Sequence, residues 1–178
     1  MNLPNSLTIL RILLIPFFIG FLLYERYEYA LGTLLLAGLT DSLDGTIARV
    51  ANQRTRLGAY LDPLADKLLL TSAFVTLSVL HLVPLWIAII VVSRDTMLIT
   101  GTLLARLTEL RVDLSPTLLG KGTTLFQLVY IILVVVLTSR QMDLRLLQPL
   151  LYLMVSLTVL SGFHYLYRGY TRLSTSET

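Results

Sequence analysis

The chain has 178 residues, of which 55% are hydrophobic and only 14% charged, with a formal net charge of +3. Soluble domains carry charge on about a quarter of their residues, so this composition excludes an ordinary soluble domain and points to a membrane protein. Cysteine is absent, which excludes disulfides and thiolate zinc sites, and no nucleic-acid partner is expected.

In chain order, the first expected element is a short interfacial helix over residues 1–11, before the first span. Pro4 suits a first helical turn; Leu3, Leu7 and Leu10 recur at helical spacing, with Asn5, Thr8 and Arg11 on the other side. The start lacks the basic region and small-residue cleavage site of a secretory signal, so it is expected to remain in the mature protein. Apolar stretches near the length of about 20 residues needed to cross a bilayer fall at 7–24, 29–48, 61–80, 84–105, 118–138 and 146–167. They predict an all-α integral membrane protein of six transmembrane helices in one domain, 1–178, with a disordered tail at 173–178.

Arg11, Arg49, Arg54, Arg56, Arg106, Arg111, Lys121, Arg168 and Arg172 gather on one side of these spans, against Arg26, Arg140 and Arg145 on the other. Cytoplasmic loops carry the excess of Lys and Arg, so both termini and the 49–58 and 106–121 connections are expected in the cytoplasm. With no targeting segment evident, a bacterial inner membrane is expected over a mitochondrial one. His81 and His164 have no neighbours at metal-ligand spacing and read as interfacial residues, and Tyr165, Tyr167 and Tyr170 read as an aromatic belt.

The end of the second span reads Asp41-Ser42-Leu43-Asp44-Gly45-Thr46-Ile47-Ala48-Arg49. An Asp at the centre of a membrane helix costs roughly 2.5–3.5 kcal/mol even on the lenient insertion scale, so such acids mark function and need a cation. At about 100° per residue, Asp41, Asp44, Gly45 and Ala48 share one arc of about 100°. After the loop come Gly58, Asp62 and Asp66, the two acids one helical turn apart. Four carboxylates from two consecutive helices repel one another unless cations lie between them, and hard divalent ions with oxygen ligands, Mg²⁺ above all, resolve that conflict. The structural alternative pairs these acids with Arg49, Arg54, Arg56 and Lys67 in a salt-bridged loop; it gives no reason for small residues at fixed offsets on the acidic face.

The constellation Asp41, Asp44, Gly45, Ala48, Arg49, Gly58, Asp62, Asp66 matches Asp-x2-Asp-Gly-x2-Ala-Arg-x8-Gly-x3-Asp-x3-Asp, and so resembles the signature of the CDP-alcohol phosphotransferase family. The resemblance implies a juxtamembrane helix, six spans, a cytoplasm-facing metal site and a homodimer. It further implies two divalent metal ions, Mg²⁺ or Mn²⁺, with Asp41, Asp44 and Asp62 as ligands and Asp66 completing the metal site and acting as general base. Gly45, Ala48 and Gly58 then make room for the cytidine nucleotide, Arg49 meets its phosphates, and Asn5 and Thr8 belong to the same CDP-binding side. The implied reaction transfers a phosphatidyl group from CDP-diacylglycerol to an alcohol and releases CMP. A cation transporter is the alternative of a different class, opposed by the clustering of the acids at one end of spans two and three.

The flanking text, Asn5-x2-Thr8-x2-Arg11 and Pro84-Leu85-Trp86, is similar to the branch whose acceptor is phosphatidylglycerol, giving cardiolipin, or glycerol 3-phosphate. Arg94 and Lys121 are the candidate acceptor-binding cations. Glycerol 3-phosphate users commonly carry a second Arg where Thr102 stands and a Lys where Thr123 stands. Fewer cations suit an acceptor with less negative charge, since Arg is matched to bidentate phosphate recognition, and the expected acceptor is phosphatidylglycerol. For Arg94 the competing reading is a salt bridge with Asp95, because an unpaired Arg within the membrane is costly.

Overall fold

The computed structural model describes residues 3–50, 56–107 and 118–176, with side chains at 6–41, 64–102, 119–168 and 171. Six α-helices are described: α1 (Leu3–Leu23), α2 (Tyr27–Val50), α3 (Arg56–Val79), α4 (Leu85–Leu107), α5 (Leu118–Ser139) and α6 (Gln148–Ser176), with a single 3₁₀ turn at Leu144–Leu147. One helix covers each expected span. Two boundaries differ from expectation. The expected interfacial helix 1–11 is not separate: from Leu3 it runs without a break into the first span, because Pro4 lies in the first turn, where its missing N–H costs nothing. Helix α6 continues to Ser176, into the segment where a disordered tail is expected.

Among the described residues, four stretches are long and apolar enough to cross a membrane, Ser6–Leu23, Leu85–Thr102, Leu119–Ser139 and Leu144–Arg168. Helices α2 and α3 carry the acids, which lower their hydropathy. Leu13, Phe17, Leu39, Ile89, Leu125, Leu160 and Phe163 are all exposed on the outside of the bundle, a surface that only lipid covers without penalty. The protein is an all-helical, multi-pass membrane protein.

The helices close into a ring in which α1 packs on α2 and α3, α2 on α5, α5 on α6, α6 on α4, and α4 on α3. Along its length the ring divides in two. One half is apolar and closely packed, with Phe18, Leu22, Leu34, Phe74, Leu77, Ile87, Val91, Ile131, Val134 and Met154 buried together. Phe74 and Tyr130 stack there with ring centroids 6.4 Å apart. The other half holds most of the buried polar residues, including Thr8, Arg11, Arg94, Asp95, Thr123, Gln127, Thr158 and Ser161.

The apolar half is closed by three turns of one design. At the ends of α1, α3 and α5, Glu25, His81 and Gln141 adopt left-handed backbone, with φ of 57°, 57° and 55°. The next residue donates its N–H five residues back, Arg26 to Phe21, Leu82 to Leu77 and Met142 to Leu137, while the left-handed residue donates three back. This is the Schellman arrangement, which satisfies the last carbonyls of a helix, and glycine is its usual residue. Beyond the third turn Asp143 accepts a hydrogen bond from the Arg145 amide at 2.9 Å and caps the 3₁₀ turn leading into α6. Trp86, one residue into α4, is 45% exposed at this same end.

Candidate active site

Thr8 and Arg11 stand one turn apart on α1, and both are fully buried. The Arg11 guanidinium reaches two other helices at once. One terminal nitrogen lies 2.7 Å from Asp41 Oδ1 on α2, and the other lies 2.7 Å from Asp66 Oδ1 on α3. The two carboxylates are themselves 46% and 44% exposed, against 1% for the Arg11 side chain, so the cation lies beneath them and nearly half of each carboxylate side chain faces outwards. Thr40, just before Asp41, donates its hydroxyl to the Ala37 carbonyl at 2.8 Å and stays off the acids.

The first and fourth acids of the motif thus meet at one point although 25 residues and a loop separate them. Their oxygens already converge on a shared cation, which is the donor set that a hard divalent ion requires. The side chains of Asp44 and Asp62, and those of Asn5, Gly45, Ala48, Arg49 and Gly58, lie outside the described residues. Among the described residues no group of three acidic or histidine side chains forms a metal site.

A second ionic cluster starts from the adjacent residue. Asp66 faces α1, whereas Lys67 turns to α4 and donates to Asp95 Oδ1 at 2.7 Å. The same oxygen accepts from Arg94 at 2.7 Å, and the other terminal nitrogen of Arg94 donates to Ser161 Oγ on α6 at 2.8 Å. Arg94 and Asp95 are 6% and 2% exposed. The Arg94 stem passes close to Gly162 on α6, where a β-carbon would lie 3.7 Å from Cγ, an ordinary contact. The salt bridge weighed for Arg94 against acceptor binding is therefore present. Two cations share one carboxylate, so this trio carries one surplus positive charge beside the acids.

The remaining polar residues of this half tie α5 and α4 to α6. Gln127 donates to Thr158 Oγ1 at 3.3 Å. Thr123, 1% exposed, lies with its hydroxyl 2.8 Å from the Leu119 carbonyl and 3.3 Å from that of Leu157. Thr102 is bonded within its own helix, to the Leu98 and Ile99 carbonyls. Gly101 lets the Tyr165 ring approach: a β-carbon there would meet Tyr165 Oη at 3.0 Å, and that hydroxyl donates to the Leu98 carbonyl at 3.4 Å. Lys121 is exposed near the start of α5, and His81 and His164 are exposed, as expected of interfacial residues.

Of the candidate site residues with described side chains, the structure brings Asp41 and Asp66 together over Arg11, buries Thr8 one turn away on α1, and puts Arg94 behind Lys67. Sequence reasoning missed two partners. Arg11 was placed on the polar side of the first helix but not joined to the acids, although its offset of three from Thr8 puts both on one face. Lys67 was considered as a counter-ion of the motif's own acids, whereas its partner is Asp95 on α4. The signal for that pairing was Asp95 itself, a second intramembrane acid that needs a cation.

The sequence profile described as CDP-alcohol phosphatidyltransferase matches residues 1–160. Human cardiolipin synthase (CMP-forming) is 40% identical over 147 residues, 73% of this chain and 48% of the human protein. The CDP-diacylglycerol–glycerol-3-phosphate 3-phosphatidyltransferase of Bacillus subtilis is 33% identical and covers 99% of both chains, and that of Aquifex aeolicus is 40% identical over 71% of both. The chain spans about half the length of the animal cardiolipin synthases it matches. From the aspartate constellation, the helical ring that joins two of its acids, and a profile match over nearly the whole length, the chain belongs to the CDP-alcohol phosphatidyltransferase family.

Proposed function

We propose that this protein transfers a phosphatidyl group from CDP-diacylglycerol to a glycerol-type alcohol and releases CMP. The observation that carries the reading is the convergence of Asp41 and Asp66, from α2 and α3, within 2.7 Å of one shared cationic group. Asp41, Asp44, Asp62 and Asp66 would hold two divalent ions, Mg²⁺ or Mn²⁺, which would supply neutralisation of the negative charge on the pyrophosphate. Asp66 accepts the proton of the acceptor hydroxyl. The alcohol oxygen then bonds to the phosphatidyl phosphorus as the bond to the CMP oxygen breaks, and CMP carries away the negative charge. Gly45, Ala48, Gly58, Arg49, Asn5 and Thr8 hold the nucleotide. Lys121 serves the acceptor directly, whereas Arg94, whose terminal nitrogens are engaged by Asp95 and Ser161, contributes through the surplus positive charge of the Lys67–Asp95–Arg94 trio, which favours an anion beside Asp66.

The preferred acceptor is phosphatidylglycerol. Thr102 and Thr123 are neutral, and Thr123 is sealed between α5 and α6, so neither adds positive charge for a dianion. Glycerol 3-phosphate is the second reading, favoured by the full-length match to the Bacillus subtilis enzyme. Supplying CDP-diacylglycerol and Mg²⁺ with each acceptor in parallel decides between them: cardiolipin is the expected product, and phosphatidylglycerophosphate as sole product reverses the preference. Thr102→Arg is expected to move preference towards glycerol 3-phosphate. The burial of Thr123 makes a lysine there a poor companion change, since it places an ammonium in a packed interface.

Asp66→Asn is expected to lower turnover by roughly 10²–10⁴-fold, the usual contribution of a general base, while CDP-diacylglycerol binding persists in part. Full activity in that variant removes Asp66 as the base. A homodimer fits the α4 surface, where Ser93, Thr96 and Thr100 are exposed and, with Gly101, line a groove. Small and hydroxyl-bearing residues on a membrane helix suit close approach of a second helix. All six helices span the membrane in this reading, with the acids on the cytoplasmic side of a bacterial inner membrane.

A further inference from the structure

Four acids suffice to bind divalent cations, so a buried arginine in contact with two of them calls for a separate account. Arg11 is fully buried and belongs to α1, whereas its two partners belong to α2 and α3. Its planar fork offers one terminal nitrogen to each carboxylate, a geometry that a lysine ammonium cannot reproduce. Without a cation between them, Asp41 and Asp66 repel each other, although their partial exposure lets solvent screen part of that repulsion. With Arg11 there, they are held in convergence. Both contacts use Oδ1, drawing on the carboxylate charge that a metal ion needs, while both acids remain partly exposed. An ion arriving from outside meets carboxylates already engaged from below, and it meets the like charge of the guanidinium.

We infer that Arg11 is an internal counter-cation that holds the acids in place in the metal-free protein and competes with divalent ions for them. Metal loading loosens its grip on at least one carboxylate. Arg11 is thus a positioning residue that acts through Asp41 and Asp66, and it sets metal affinity below what the acids alone provide. This inference rests on the divalent-metal reading proposed above.

The test measures metal binding with no substrate present. Full-length wild type, Arg11→Gln and Arg11→Lys are titrated with Mn²⁺, free Mn²⁺ being followed by electron paramagnetic resonance, and each is melted with EDTA and with saturating Mg²⁺. Arg11→Gln is expected to bind Mn²⁺ about threefold tighter or more, since a like charge and a competitor are gone. It is also expected to melt lower than wild type in EDTA and to gain more from Mg²⁺ than wild type does. Arg11→Lys, which cannot bridge both acids, is expected to fall between the two, and it decides the matter if Arg11→Gln does not fold. Equal or weaker Mn²⁺ binding in the variant that folds, with normal binding in wild type, overturns the counter-cation role alone. Absence of Mn²⁺ binding in wild type overturns the metal reading with it.

Discussion

Asp95 shows most directly what one side chain contributes. It is 2% exposed and shares a single oxygen between Lys67 and Arg94, so Asp95→Ala leaves two cations facing each other within the bundle. Breaking a buried ionic group by removing one partner costs about 3–5 kcal/mol, and thermal unfolding in detergent or nanodiscs is expected to register that loss. If the melting temperature is unchanged, the trio is not a structural tie. At this scale the sequence was legible for the acids and opaque for their partners. Asp41 and Asp66 stood out because isolated carboxylates are costly in a membrane helix. Which cation answers each depends on which helices are neighbours in the ring, and no spacing within one helix encodes that. Arg11 reaches Asp66 across 55 positions, and Lys67 reaches Asp95 across 28.

Among the elements, the six helices were readable from their apolar runs, although not all of their ends were. Pro4 was read as the start of a separate interfacial helix, yet α1 runs on to Leu23, even through Pro16, whose missing N–H removes one rung of the backbone ladder. The three Schellman turns were invisible in the sequence, because Glu25, His81 and Gln141 stand where glycine normally gives the signal. Left-handed backbone costs a non-glycine residue about 1–2 kcal/mol. Gln141→Gly removes that strain and adds chain entropy to the unfolded state. The expected balance is a gain of up to about 1 kcal/mol, read as a higher melting temperature, and a lower one would show that the Gln141 side chain contributes contacts that outweigh the strain.

Over the whole molecule, the division into an apolar half and a polar half follows from composition and alternating chain direction. Most of the buried polar and charged residues lie towards the same end of the ring, which leaves one end of tight apolar packing and one of chemistry. Lys and Arg are in excess at the polar end, which predicts its side of the membrane. The chain has no cysteine, so single introduced thiols test this directly. Met142→Cys, exposed in the turn after α5, is expected to react with an impermeant maleimide in intact cells, and Thr171→Cys on α6 only after permeabilisation. The reverse pattern inverts the assignment. The end that carries the turns also holds the single tryptophan, Trp86. The molecule therefore contains its own optical depth gauge: one indole at the headgroup level, on the face away from the carboxylates, whose emission reports how deeply the bundle is seated in lipid and stays silent to what happens among the acids.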